Sequence, residues 1–214
     1  ASADRFDGGP GDDDARAGLG PDTLYGDQGD DVLVGGSGAD LLEGETGDDI
    51  LLGDDGDDRL VGGDGMDLAS FALDYDDGTH QGRRHSASTT VNLSTGSATG
   101  FGSDTLVTME GAIGGGGSDR FVGDSGANTF RSVPGGPDSV DGGKGRDTIE
   151  PEGLLAMEVD LREGEVRGYV VANPSTSDSY LVRLTSVENA LGAASSPDIL
   201  RGNGKANVLK GRSG

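Results

Sequence analysis

The chain has 214 residues, of which 42 are Gly, 39 are Asp or Glu and 16 are Lys or Arg, a formal net charge of −23. It has no Cys and no Trp, and only 32% of it is hydrophobic, against roughly 45–50% in an ordinary globular domain. These figures exclude a disulfide frame, a thiolate metal site and an apolar transmembrane span, and the charge weighs against nucleic acid as a partner because it repels phosphate.

Two states fit such a composition: a disordered polyelectrolyte, or a fold whose acid is neutralised by cations. The order of the residues separates them. From Gly8 to Ser70 the chain reads without a gap as GGPGDDDAR, AGLGPDTLY, GDQGDDVLV, GGSGADLLE, GETGDDILL, GDDGDDRLV and GGDGMDLAS. The fourth position is always Gly (Gly11, Gly20, Gly29, Gly38, Gly47, Gly56, Gly65). The sixth is always Asp (Asp13, Asp22, Asp31, Asp40, Asp49, Asp58, Asp67), and the eighth is Leu except for Ala15 and Ala69 at the ends. A partial unit, Asp4 to Asp7, precedes them in register. Compositional bias does not hold two residue types in one register over seven units.

Each position has a physical task. Glycine permits the left-handed backbone of a tight turn and lets carbonyls crowd around an ion. Carboxylates and carbonyls are hard oxygen donors that suit Ca²⁺ better than Mg²⁺, which keeps its waters. The last three residues of the unit form a minimal strand whose middle side chain points inward.

This pattern resembles the RTX nonapeptide, G-G-x-G-x-D-x-U-x with U a large apolar residue. The resemblance implies an all-β fold, a calcium-bound right-handed parallel β-roll in which two nonapeptides make one turn. It further implies calcium shared between stacked turns, pairing Asp13 with Asp31, Asp22 with Asp40, Asp31 with Asp49, Asp40 with Asp58 and Asp49 with Asp67, and Asp4 with Asp22 in the truncated turn. The family's sites also use main-chain oxygens. In the first block these fall on Gly9, Gly11, Gly18, Gly20, Gly26, Asp27, Gln28, Gly29, Gly35, Gly36, Ser37, Gly38, Gly44, Glu45, Thr46, Gly47, Gly53, Asp55, Gly62 and Asp64. In the second block they fall on Gly115, Gly117, Asp124, Gly126, Gly142 and Lys144.

After Ser70 the register lapses. Phe71 to Leu73 and Thr89 to Leu93 read as a strand pair separated by an exposed polar loop. The nonapeptide returns as TGFGSDTLV (99–107), bringing Asp104, and then as GGGGSDRFV (114–122), GDSGANTFR (123–131), VPGGPDSVD (133–141) and GGKGRDTIE (142–150). Asp119, Asn128, Asp138 and Asp147 hold the ligand position there, and the extra residue Ser132 throws the Asp119–Asp138 pair into doubt. Beyond Pro151 a longer period emerges. VNLSTG (91–96) recurs as VDLREG (159–164), LVTMEGAIG (106–114) as LTSVENALG (184–192), and SDRFVGDSGANTF (118–130) as PDILRGNGKANVL (197–209). Asp198 and Asn207 are weak ligand positions, since Ser196 and Lys205 replace the turn glycine.

The expected organisation is therefore a first roll block (1–70), a strand pair and connector (71–113), a second block (114–150), a second strand pair (151–192) and the start of a third block (193–214). The unit begun at Gly211 leads us to expect a longer natural chain, and the strand pairs are expected to cover the ends of the roll. His80 and His85 lie in the polar loop, where a solvated surface outweighs a transition-metal site. No H-E-x-x-H helix or G-x-S-x-G elbow is present. Glu110 and Glu188, equivalent in the two copies, read as caps on turns that re-enter the roll. The expected function is calcium-coupled folding of a non-enzymatic, secreted or cell-surface segment that takes up about seven to nine Ca²⁺ ions. Parent proteins of several kinds carry such rolls: adhesins, secreted proteases, lipases or alginate-epimerase-like enzymes, and pore-forming toxins. Cell-surface glycan or neighbouring repeats are the further partners considered.

Overall fold

The computed structural model describes residues 2–72, 87–133, 135–151, 156–161, 165–173, 176–192 and 199–211. In the first block each nonapeptide contributes one strand and one turn. The strands are β1 (Arg5–Pro10), β2 (Asp14–Leu19), β3 (Thr23–Gln28), β4 (Val32–Ser37), β5 (Leu41–Thr46), β6 (Ile50–Asp55), β7 (Arg59–Asp64) and the shorter β8 (Leu68–Ser70). The repeat alone suggests strands of three residues, yet β1 to β7 have six. Pairing skips the first glycine of each unit and resumes after it: Asp7 faces Tyr25, then Gly9 faces Asp27.

Odd strands stack in parallel in one sheet and even strands in a second, so a strand lies beside the one two units later. The eighth positions of the two sheets form two inward rows. Leu24, Leu42, Leu60 and Leu106 occupy one, and Ala15, Leu33, Leu51 and Ala69 the other. Leu24, Leu33, Leu42, Leu51 and Leu60 have no exposed surface, each contributing about 1.5–3 kcal/mol by burial. A core one side chain deep per sheet is what a chain so poor in apolar residues is able to fill.

The roll continues through β9 (Thr90–Asn92), β10 (Ser97–Thr99), β11 (Ser103–Val107), β12 (Gly111–Ile113), β13 (Arg120–Val122), β14 (Thr129–Ser132), β15 (Asp138–Asp141) and β16 (Thr148–Pro151). It ends with β17 (Ala156–Asp160), β18 (Glu165–Asn173), β19 (Thr176–Thr185), β20 (Asn189–Leu191), β21 (Ile199–Arg201) and β22 (Leu209–Lys210). The core row carries on through Val91, Phe121, Phe130, Val140, Ile149 and Ala190, with the Phe121 and Phe130 ring centroids 5.5 Å apart.

The expected strand pairs take a different form. Phe71 and Ala72 bend after β8, with the Phe71 N–H donating to the Ile113 carbonyl, and Leu73 lies outside the described residues. In place of a pair, β9, β10 and β11 form an antiparallel meander inserted within the odd sheet, between β7 and β13, both of which it meets in parallel. The even sheet passes the same point directly, from β8 to β12 to β14. β17, β18 and β19 repeat this arrangement between β15 and β21. The strands read as covering roll ends are thus intercalated between roll turns. The result is a parallel β-solenoid of about nine turns with antiparallel insertions. No helix long and apolar enough to cross a membrane occurs among the described residues.

Candidate metal centres at the two turn edges

Alternation of strands between two sheets sends successive turns to opposite edges. The sixth-position residues therefore form two columns. One, on the odd-strand side, runs Asp4, Asp22, Asp40 and Asp58, each preceding its strand, and then Asp104 within β11; the other, preceding the even strands, runs Asp13, Asp31, Asp49 and Asp67. In both columns each Asp Oδ1 accepts the backbone N–H of the Asp one turn earlier: Asp31 from Asp13 and Asp40 from Asp22 at 2.7 Å, Asp49 from Asp31 and Asp58 from Asp40 at 2.8 Å. Asp104 takes the Asp58 N–H at 3.1 Å from 46 residues away, so the meander does not interrupt the column. Across the later turns Asp119 accepts from Thr89, Asp138 from Asp119, and Asp147 from Asn128.

The second carboxylate oxygen is the informative one. Oδ2 of Asp22, Asp31, Asp40, Asp49, Asp58, Asp67, Asp119 and Asp147 is buried and meets no hydrogen-bond donor. A buried unpaired carboxylate oxygen is costly. Each of these but Asp22, whose unit begins with Ala17, crowds a glycine at the first position of its own unit, and Asp13 does the same: a Cβ on Gly8 would come within 2.7 Å of both Asp13 Oδ2 and the Gly26 carbonyl of the next turn. Gly26 stands likewise between Asp31 Oδ2 and the Gly44 carbonyl. The carbonyls of Gln28, Ser37, Thr46, Asp55 and Asp64 each accept the N–H of a fourth-position glycine one turn earlier, leaving a second lone pair on each. Asp27, Glu45 and Asp54 hold left-handed backbone (φ 70–75°) at the second position, where Gly9, Gly18, Gly36 and Gly63 do the same without a side chain.

Burial raises the proton affinity of Asp31, Asp40, Asp49, Asp58, Asp67, Asp104, Asp119 and Asp147, opposed in part by the backbone N–H each accepts and reinforced by neighbouring carboxylates. Asp40, Asp49 and Asp67 are pushed up to about 6 and Asp58 to about 7. Asp104, Asp119 and Asp147 reach about 6, and Asp31 and Glu110 are raised. The donor set is one or two carboxylates beside clustered carbonyls; no three acidic or histidine side chains converge among the described residues. Such an all-oxygen set fits a hard, high-coordination cation.

Asp4, Asp13 and Asp104 stand outside the buried, donor-free set, and three further ligand-position residues turn their side chains to other partners. Asp138 Oδ2 accepts the hydroxyl of Ser132, the inserted residue. Asn128 turns its amide into its own unit, with Oδ1 accepting from Asp124 N–H at 2.9 Å and Nδ2 donating to Asp124 Oδ1 at 3.2 Å and to the Glu110 carbonyl at 3.4 Å. Asn207 Nδ2 likewise donates to Asn203 Oδ1 at 3.1 Å and to the Glu188 carbonyl at 2.6 Å. Asp198, His80 and His85 lie outside the described residues. Pattern reading missed Thr89, which fills a ligand position with a buried, unpartnered Oγ1. It also missed a second, exposed ladder in which Asp12, Asp30 and Asp48 each accept the N–H of the fifth-position residue one turn later. The signal for that ladder, Asp at every other fifth position, is present in the repeat.

The RTX calcium-binding nonapeptide repeat family matches in four copies, over residues 7–42, 34–68, 113–131 and 135–151. These segments are RTX calcium-binding repeats. No curated protein matches the chain. The matched RTX segments contain the column residues from Asp13 to Asp67, but Asp4, Asp104 and Glu110 lie outside them.

Proposed function

We propose that this RTX chain is a calcium-folded segment of a larger secreted or cell-surface protein and serves it as a stiff structural or adhesive spacer. The observation that carries the reading is the pair of rows of buried Oδ2 atoms without donors, one along each turn edge of the first block, beside the turn carbonyls. Asp4, Asp13, Asp22, Asp31, Asp40, Asp49, Asp58, Asp67, Asp104, Asp119 and Asp147 would hold the ions, together with the turn carbonyls. Calcium supplies two positive charges and a flexible coordination shell at each site. About seven to nine ions would add about +14 to +18 and offset most of the −23 charge. In the open chain these sites do not exist, so binding and folding form one reaction. RTX rolls are typically structural and RTX proteins typically leave the cell by type I secretion; a chain unfolded in low cytoplasmic calcium and folded outside suits that route. Circular dichroism of the metal-stripped chain tests the reading. Calcium, and not magnesium at the same concentration, is expected to convert coil to strand at about pH 8, where the buried carboxyls are ionised; a strand spectrum that survives excess EGTA at that pH would sink it.

A further inference from the structure

Both places where the roll resumes after a meander depart from the nonapeptide in the same way. Val107 pairs with Val61 and Gly111 with Leu68, so the connection Thr108–Glu110 spans what residues 62–67 span one turn earlier. Thr185 pairs with Asp141 and Asn189 with Thr148, so 186–188 span what 142–147 span. Half of each turn is missing, and each column carries Glu where it otherwise carries Asp. The longer side chain makes up the reach: Glu110 Oε2 accepts the Asp67 N–H at 3.0 Å, and Glu188 Oε2 accepts the Asp147 N–H at 3.3 Å. Thr108 and Ser186 take left-handed backbone (φ 47° and 55°). Their carbonyls share the space beside Gly62 and Gly142 with Asp67 Oδ2 and Asp147 Oδ2, where a Cβ would meet both, just as the Gly44 carbonyl and Asp31 Oδ2 share the space beside Gly26. Asp67 and Asp147 are fully buried, and both Oδ2 atoms lack a donor.

The two junctions diverge on their far side. Lys205 Nζ lies 2.5 Å from Glu188 Oε1. The residue in that place at the first junction is Gly126. Gly126 and Lys205 each donate their N–H to the side chain two residues earlier, at 2.7 and 2.9 Å. Each also precedes an Asn whose Nδ2 reaches the carbonyl of the junction Glu. Among the described residues no Lys or Arg pairs with Glu110.

We propose that Glu110, with Asp67 and the Thr108 carbonyl, completes a calcium site that closes the first meander onto the roll, and that at the second junction the Lys205 ammonium takes the place of that ion. The inference rests on the calcium reading above, and it makes the return of a 43-residue excursion dependent on an ion.

Counting bound calcium per full-length chain, by equilibrium dialysis with elemental analysis, tests it. Glu110→Gln keeps a neutral acceptor for the Asp67 N–H and removes the charge; it is expected to bind one ion fewer than the parent chain. Glu188→Gln is expected to leave the count unchanged. Gly126→Lys copies the second junction into the first and is also expected to lose one ion. Position 126 is free of left-handed backbone, and a Cβ there meets only Asp124 Oδ1, at 3.2 Å, a side-chain atom that has to give by a few tenths of an ångström, so this variant decides the matter should Glu110→Gln fail to fold. An unchanged count in both Glu110→Gln and Gly126→Lys would reduce Glu110 to a cap and overturn the site. Loss of an ion from Glu188→Gln would overturn the role of Lys205. A parent chain that binds no calcium would instead defeat the functional reading itself.

Discussion

The two oxygens of a column aspartate have different tasks. Oδ1 of Asp49 holds the N–H of Asp31 at 2.8 Å, while its Oδ2 is buried without a donor. Asp49→Asn keeps an acceptor for that N–H and removes the charge, and Asp49 stands between Asp31 and Asp67, so both adjoining sites lose it. At Asp138 the second oxygen is already taken by the Ser132 hydroxyl. Asp49→Asn is therefore expected to move the calcium midpoint upward by about tenfold or more, equivalent to about 1.4 kcal/mol, and Asp138→Asn by much less. Isothermal titration of the two variants measures this; equal shifts would mean that the orphaned oxygen does not mark the strong sites. In the sequence the Ser132 insertion already sets the Asp119–Asp138 pair apart, but it announces a break in register and not the direction of its hydroxyl.

At the scale of elements, the columns were readable because period and chemistry coincide: a Gly turn, an Asp and one apolar residue recur every nine positions, and the stacking of Asp22 on Asp40 on Asp58 follows. Asp104 rejoined that column because TGFGSDTLV keeps the register. The meanders were not readable in the same way. β10 is Ser-Ala-Thr, with neither turn glycine nor large apolar residue, and its antiparallel partners are chosen by tertiary packing. Phe71 likewise has strand composition but is spent on a bend. The intercalated arrangement changes what a truncation does. Ending the chain after Pro151 removes β19 and β20 from β15 and β16 and uncovers Val140 and Ile149, which are 2% and 0% exposed. At the opposite end, β1 and β2 carry the exposed ion pairs Arg5–Asp7 and Arg16–Asp14, charges that discourage strand addition. The 1–151 chain is expected to keep taking up calcium in its first block while self-associating through its cut end. Light scattering with and without calcium checks this, and a monomeric truncated chain in calcium would refute it.

For the whole molecule, calcium and protons are alternative ways of neutralising the same interior. The raised carboxyls bind protons more tightly in the metal-free folded state than in the open chain, whose aspartates ionise near about 3.9. Their protonated form thus supports the fold fully below about pH 4, and that support is lost as pH rises through about 6 for Asp40, Asp49 and Asp67 and about 7 for Asp58. Above that range the metal-free roll must bury carboxylate charge within a chain of net charge −23, and the thin core gives little to set against the ordering entropy. Metal-stripped protein is accordingly expected to gain strand signal as pH is lowered from 8 to about 5. Added calcium at mildly acid pH is expected to displace those protons, which an unbuffered titration reads as acid release. The same competition raises the calcium midpoint as pH falls below about 6. A midpoint identical on both sides of that pH would mean that the ions do not sit where the buried aspartates hold their protons.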